Sequence, residues 1–157
     1  MLQNLDRDQL EGAATDFGLV LLSFQRRMQK DYAFAAANGR MLGDEPVDVV
    51  NYRQIAGPHG LTVFRDSKES HQPLSGEIWF LAKDLVPVRI IMNAREMITG
   101  KYTIRTEATI DYMPSPFGLV PGRILHRQFL KGGAANDDLM VENDFHYADF
   151  RNAIRLP

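Results

Sequence analysis

This chain reads as an α+β domain, one curved and mostly antiparallel sheet with a single N-terminal helix packed on it. Three observations carry that expectation. First, 101–112 (KYTIRTEATIDY) alternates strictly, with Tyr102, Ile104, Thr106, Ala108, Ile110 and Tyr112 on one side and Thr103, Arg105, Glu107, Thr109 and Asp111 on the other. A period of two over that length specifies an antiparallel strand with one dry face and one wet face. Second, Gly, Pro and Asn clusters cut the rest of the chain into apolar segments of strand length. Third, Phe17, Val20, Leu21, Phe24 and Met28 recur at helical spacing.

Taken in order, 1–14 is a polar, weakly patterned arm. Thr15-Asp16 offers an N-cap, and Arg26, Arg27 and Lys30 suit a helix C-terminus, so 16–29 is expected to be the amphipathic helix. A buried strand at 17–24 is the rival for the same apolar run. Tyr32-Ala-Phe34-Ala-Ala36 alternates into Asn38-Gly39, the strongest short hairpin signal, because both central residues of a type I′ turn need positive φ. Gly43-Asp44-Glu45-Pro46 is a second punctuation before a strand over 47–55. Gly57-Pro58-His59-Gly60 is a turn, 61–64 a short strand and 66–73 a polar loop. Strands follow at 76–81 and 88–92, with Lys83-Asp84-Leu85 turning between them and Pro87 at the start of the second, where its missing N–H does least harm. After 101–112, Met113-Pro-Ser-Pro-Phe-Gly118 is a stiffened loop, and 124–130 and 139–147 form the last hairpin around 131–136. That makes about eight strands in a single domain, with the sheet over 15–151 and 152–157 as a tail.

Composition narrows the function classes. The 157 residues are 45% hydrophobic and 24% charged, with net charge −2 and the two signs interspersed. Such a balance gives no field for steering onto nucleic acid or an anionic membrane. There is no cysteine, hence no disulfide framework, thiolate nucleophile or thiolate metal site. No apolar run is long enough to cross a bilayer. The longest, 17–24, follows an acidic leader containing Asp6, Asp8, Glu11 and Asp16, unlike a signal peptide.

No motif carries a reaction, and the expectation is a protein that is not an enzyme and uses no cofactor. No Gly-x-Ser-x-Gly, phosphate loop or dinucleotide fingerprint occurs. Glu142, Asp144 and His146 alternate along one strand, with His126 and Arg127 on its hairpin partner. A metal would need such groups to converge, and spacing along a strand does not provide that, so no metal site is expected. The same residues suit a solvated face of cross-strand charge pairs. Glu107 and Asp111 lie about 13–14 Å apart by strand rise, too far for a hydrolytic pair. Trp79, the sole tryptophan, sits among Ile78, Phe80 and Leu81. It suits either a core position beneath the helix or the wall of a ligand cavity.

The order of segments supports a resemblance. Leu74-Ser-Gly-Glu-Ile-Trp79 is followed by Leu85-Val-Pro-Val-Arg89-Ile, then Glu107-Ala-Thr-Ile-Asp-Tyr112 and Phe117-Gly-Leu-Val-Pro121. His126-Arg127, Glu142-Asn143-Asp-Phe145-His-Tyr147 and Asp149-Phe150-Arg151 complete the series. Over about 15–151 this resembles uncharacterised exported bacterial proteins related to the lipoprotein-carrier (LolA-like) superfamily. The resemblance implies a half-open antiparallel β-barrel wrapped around a helix or lid, and a periplasmic or secreted protein. This chain is shorter than a full carrier and reads as an N-terminally truncated member, with no residue-level match to the carrier's lid.

Two functions follow as expectations. One is a non-enzymatic envelope protein that holds a lipid or the acyl chain of an acylated protein, lined by Phe64, Trp79, Ile91, Ile104, Ile110, Phe129 and Phe145. Apolar burial, worth about 0.8 kcal/mol per methylene, would drive such binding. The other is a structural or interaction module whose interior is filled and whose exposed sheet edge pairs with a partner, a homodimer included. Inward-facing large rings would favour the second, and inward Ala, Val or Gly the first. Alternation alone does not choose, since a one-residue slip exchanges the faces.

Overall fold

A computed structural model describes residues 26, 28–57, 61–65, 68–97, 102–116, 118–132 and 138–148. Their strands are Tyr32–Leu42 (β1), Glu45–Gln54 (β2), Leu61–Arg65 (β3), Lys68–Gln72 (β4), Ser75–Leu81 (β5), Pro87–Met97 (β6), Tyr102–Ser115 (β7), Gly118–Gly132 (β8) and Asp138–His146 (β9). Seven form one antiparallel sheet in the order β1-β2-β5-β6-β7-β8-β9, and β3 and β4 form a separate two-stranded hairpin inserted between β2 and β5. Each neighbour in the large sheet follows the last along the chain once that insertion is set aside, so the sheet is a simple meander. It does not close, and β1 and β9 are its two edges.

The α+β expectation is therefore corrected to an all-β fold. Among the described residues there is no α-helix, only a 3-10 turn at Gln29–Asp31. Most of the expected helix 16–29 lies outside the described residues, as do the arm 1–14 and the tail 152–157. At its far end Met28 and Gln29 belong to the turn, because the backbone is already extended at Tyr32 (φ −124°, ψ 142°), where pairing with Gln54 begins. The half-open barrel is corrected to an open sheet.

Three further boundaries differ from expectation. Asn38-Gly39 does not turn the first hairpin. Ala37 opposes Val49 and Arg40 opposes Val47, so one extra residue is bulged out there and β1 continues. The hairpin turns instead at Gly43, whose φ of +62° supplies the left-handed residue. The polar loop expected at 66–73 contains β4, a strand because its backbone pairs with β3 from Leu61↔Gln72 to Arg65↔Lys68. The loop expected at 113–118 is a tight reversal inside one long hairpin, where Ser115 Oγ donates to the Gly118 carbonyl at 2.8 Å. Pro114 and Pro121 are tolerated there because the ladder shifts register between Asp111 and Tyr112.

The sheet has two unlike faces. The first buries Tyr32, Tyr52, Ile78, Ile90, Met92, Ala94, Ala108, Ile110, Tyr112 and Ile124, with Leu74 and Leu61 reaching it from the insertion. Ile90 and Ile110 are at 0% exposure. The second carries a smaller apolar cluster of Val47, Val49 and Trp79, edged by Leu42, Leu81 and Ile91. Beyond it, toward β9, that face is charged. Gln54 anchors the insertion: its backbone N–H bonds to the Leu74 carbonyl, its Oε1 accepts from Leu74 N–H, and its Nε2 donates to the carbonyls of Ala56 and Gly57.

Candidate functional site

The densest chemistry lies on the second face, where β1, β2, β5 and β6 bring four side chains together. Glu77 and Trp79, two residues apart on β5, point the same way. The indole Nε1 donates to Glu77 Oε2 at 2.8 Å. Arg40, carried into place by the bulge in β1, forks onto the same carboxylate with both distances 3.0 Å. The guanidiniums of Arg40 and Arg89 each lie 5.2 Å from the Trp79 ring centroid. That spacing allows cation–π attraction, strengthened because Trp79 is itself buried.

A lattice of ion pairs continues across the face. Arg89 Nε meets Asp111 Oδ1 at 2.5 Å. Arg123 forks onto Asp144 at 2.9 and 2.8 Å, and His146 Nε2 lies 3.1 Å from the same carboxylate. Arg127 reaches Glu142 at 2.7 Å. Arg105 contacts Glu107 and lies 4.3 Å over the Phe129 ring. The hydrogen bond from Arg123 holds the Asp144 carboxyl down to about 2. These carboxylates are charged and engaged by guanidinium groups, an arrangement that orders a surface rather than one poised for proton transfer.

On the first face the titratable groups are held neutral. Burial raises the Tyr52 hydroxyl far above its ordinary value, helped by Tyr32 and Tyr112, and burial alone raises Tyr112. Burial lowers His126, whose ring Nδ1 lies 3.4 Å from the Asn143 amide. The buried Thr106 Oγ1 and Tyr112 hydroxyl have no hydrogen-bond partner among the described residues.

The expected lining residues do not share a face. Ile104, Ile110 and Phe145 lie on the first face. Trp79 and Ile91 lie with the second, as does Phe129 beneath Arg105. Phe64 falls on β3 opposite Glu69, in the inserted hairpin and off the large sheet. The polar series splits likewise. His126 opposes Asn143 on the first face, while Glu142, Asp144 and His146 project from the other side of β9, so His126 does not converge with them. Among the described residues no group of three or more His, Asp or Glu is arranged to hold a metal ion, and no helix is long and apolar enough to cross a membrane.

Sequence reasoning missed the Arg40–Glu77–Trp79–Arg89 cluster. Glu77 and Trp79 were legible as a same-face pair. Arg40 was not, because its place depends on the bulge at Asn38-Gly39.

No family model, curated protein or solved structure matches this chain. The resemblance to the lipoprotein-carrier superfamily thus stands on the segment pattern alone.

Proposed function

We propose that this chain is a structural or interaction module that pairs with a partner through an exposed edge of its sheet. One observation carries the reading: the sheet is open at both ends while its first face is already filled by the chain's own large side chains. Ile78, Ile90, Met92, Ile110, Tyr112 and Ile124 are buried there, and Tyr32 and Tyr52 pack edge to face at 6.0 Å beside β1. An acyl chain would have to displace them, whereas an added strand finds unpaired backbone N–H and C=O groups along the edge. Main-chain hydrogen bonds then give affinity, and alternate side chains give selectivity.

A second reading is the non-enzymatic envelope binder of a lipid or lipoprotein acyl chain. It is favoured by Ala94 and Ala108, which set small side chains at the middle of the first face beside the Thr106 hydroxyl. Native mass spectrometry of the purified chain, with solvent extraction of the same sample, separates the two. A lipid-free assembly of more than one chain is the expected result. One acyl species per chain, released by organic solvent, would sink the module in favour of the carrier.

A further inference from the structure

We infer that the partner is a second copy of this chain, joined β1 to β1 in antiparallel register about a two-fold axis at Ala35. This rests on the edge-pairing reading above and specifies its edge, partner and register.

The two edges differ in what they would present to a neighbour. Natural edge strands are blunted by charges, prolines or bulges. From Tyr32 to Gly39 (YAFAAANG) β1 carries no charge and no proline. Ala33, Phe34, Ala35 and Ala36 are all exposed, Phe34 at 43%. The opposite edge is defended. β9 carries Asp138, Glu142 and Asp144, and it bulges where Gln128 opposes Val141 but Phe129 opposes Leu139.

Register follows from the bulge in β1. The strand is regular against β2 from Tyr32 to Ala37 and irregular beyond. A two-fold at Ala35 uses that regular run and stops short of the bulge. It sets Ala35 opposite Ala35, Ala33 opposite Ala37 and Phe34 opposite Ala36, so each ring meets a small side chain and the first face continues into the partner. A two-fold at Phe34 would oppose two large rings, and one at Ala36 would run into the bulge. Pairing about Ala35 is isologous, uses the same patch on both copies and closes. It leaves the two β9 strands outermost, and their acidic side chains discourage further growth.

The chain has no cysteine, so a single introduced thiol reports the register directly. In A35C the two thiols would sit on directly opposed residues with Cα atoms about 4.5–5.5 Å apart, within disulfide reach. In A33C they would be about 13–14 Å apart. Under mild oxidation A35C is expected to form a covalent dimer at least tenfold faster than A33C and than M140C on β9. The A35K variant, which opposes two ammonium groups at the axis, is expected to weaken the dimer at least tenfold in sedimentation equilibrium, with an unchanged circular dichroism spectrum. Wild-type chain that assembles, while A35C links no faster than A33C and A35K assembles normally, would overturn β1 self-pairing and leave the edge-module reading standing. Wild-type chain that remains monomeric at every concentration would also overturn the inference, and a strand of another protein would then have to be the partner.

Discussion

At the scale of single residues, backbone geometry decides more than side-chain chemistry. A Cβ on Gly76 would lie 1.8 Å from the Ile91 carbonyl oxygen and 3.3 Å from the Tyr52 ring, at a φ of +155°. Glycine lets Tyr52 lie across β5 and donate its hydroxyl to that same carbonyl at 3.2 Å. Gly76→Ala is expected to destabilise the protein by about 3 kcal/mol, read as a lower urea midpoint. The reverse holds in the β5–β6 turn. Leu85 adopts a φ of +56° with its side chain 65% exposed, a left-handed conformation that disfavours a branched aliphatic residue and buries nothing in return. Leu85→Gly relieves that strain against a smaller entropic loss and is expected to stabilise by about 0.5–1 kcal/mol, read as a higher melting temperature. Neither effect was legible in the sequence. Gly76 read as the first residue of a strand and Leu85 as part of a turn, and the clash and the φ both come from tertiary register.

At the scale of elements, the sequence was most readable where one face is continuously dry. β7 follows its alternation: Ile104, Thr106, Ala108, Ile110 and Tyr112 are all buried and the intervening residues are not. It was least readable where pairing, not pattern, makes the strand. β4 (KESHQ) has no apolar alternation and exists because β3 supplies its hydrogen bonds. The Asn-Gly pair in β1 serves a bulge as readily as a turn, and only the register with β2 distinguishes them. The inserted hairpin is tied to the sheet through one side chain, Gln54. Gln54→Leu keeps the volume but strips the partners from the Leu74 N–H and from the carbonyls of Ala56 and Gly57. The expected cost is about 2–3 kcal/mol. The Leu74 amide should also exchange with deuterium markedly faster, while amides in β7 and β8 slow or quicken only with global stability. Equal acceleration everywhere would mean that Gln54 does not act locally on the insertion.

At the scale of the whole molecule, the two faces of one sheet divide the labour, and this is where the candidate site was hardest to foresee. Trp79 and Ile91 are as apolar as Ile110, yet they fall on the opposite face, because a one-residue offset reverses a side chain and two bulges lie between the turns that would fix the count. The division also predicts how the protein responds to acid, in two separate windows. His126 is buried on the dry face and its pKa is lowered from the ordinary 6.5 by that burial. Below pH 6.5 the unfolded chain takes up a proton there that the folded chain refuses. Stability must therefore fall as pH drops from 6.5, until the folded pKa is passed, with a slope of at most about 1.4 kcal/mol per pH unit for one proton. Asp144 lies on the wet face, its carboxyl held from the ordinary 3.8 to about 2 chiefly by the Arg123 hydrogen bond. Its contribution is complete above pH 3.8 and is lost only as pH falls toward 2. Urea midpoints measured from pH 8 to pH 2 should thus decline in two steps. His126→Gln should flatten the upper step and leave the lower, and Asp144→Asn should do the converse. Wild-type and His126→Gln curves that run parallel between pH 7 and pH 5 would show that the buried imidazole does not couple protonation to folding.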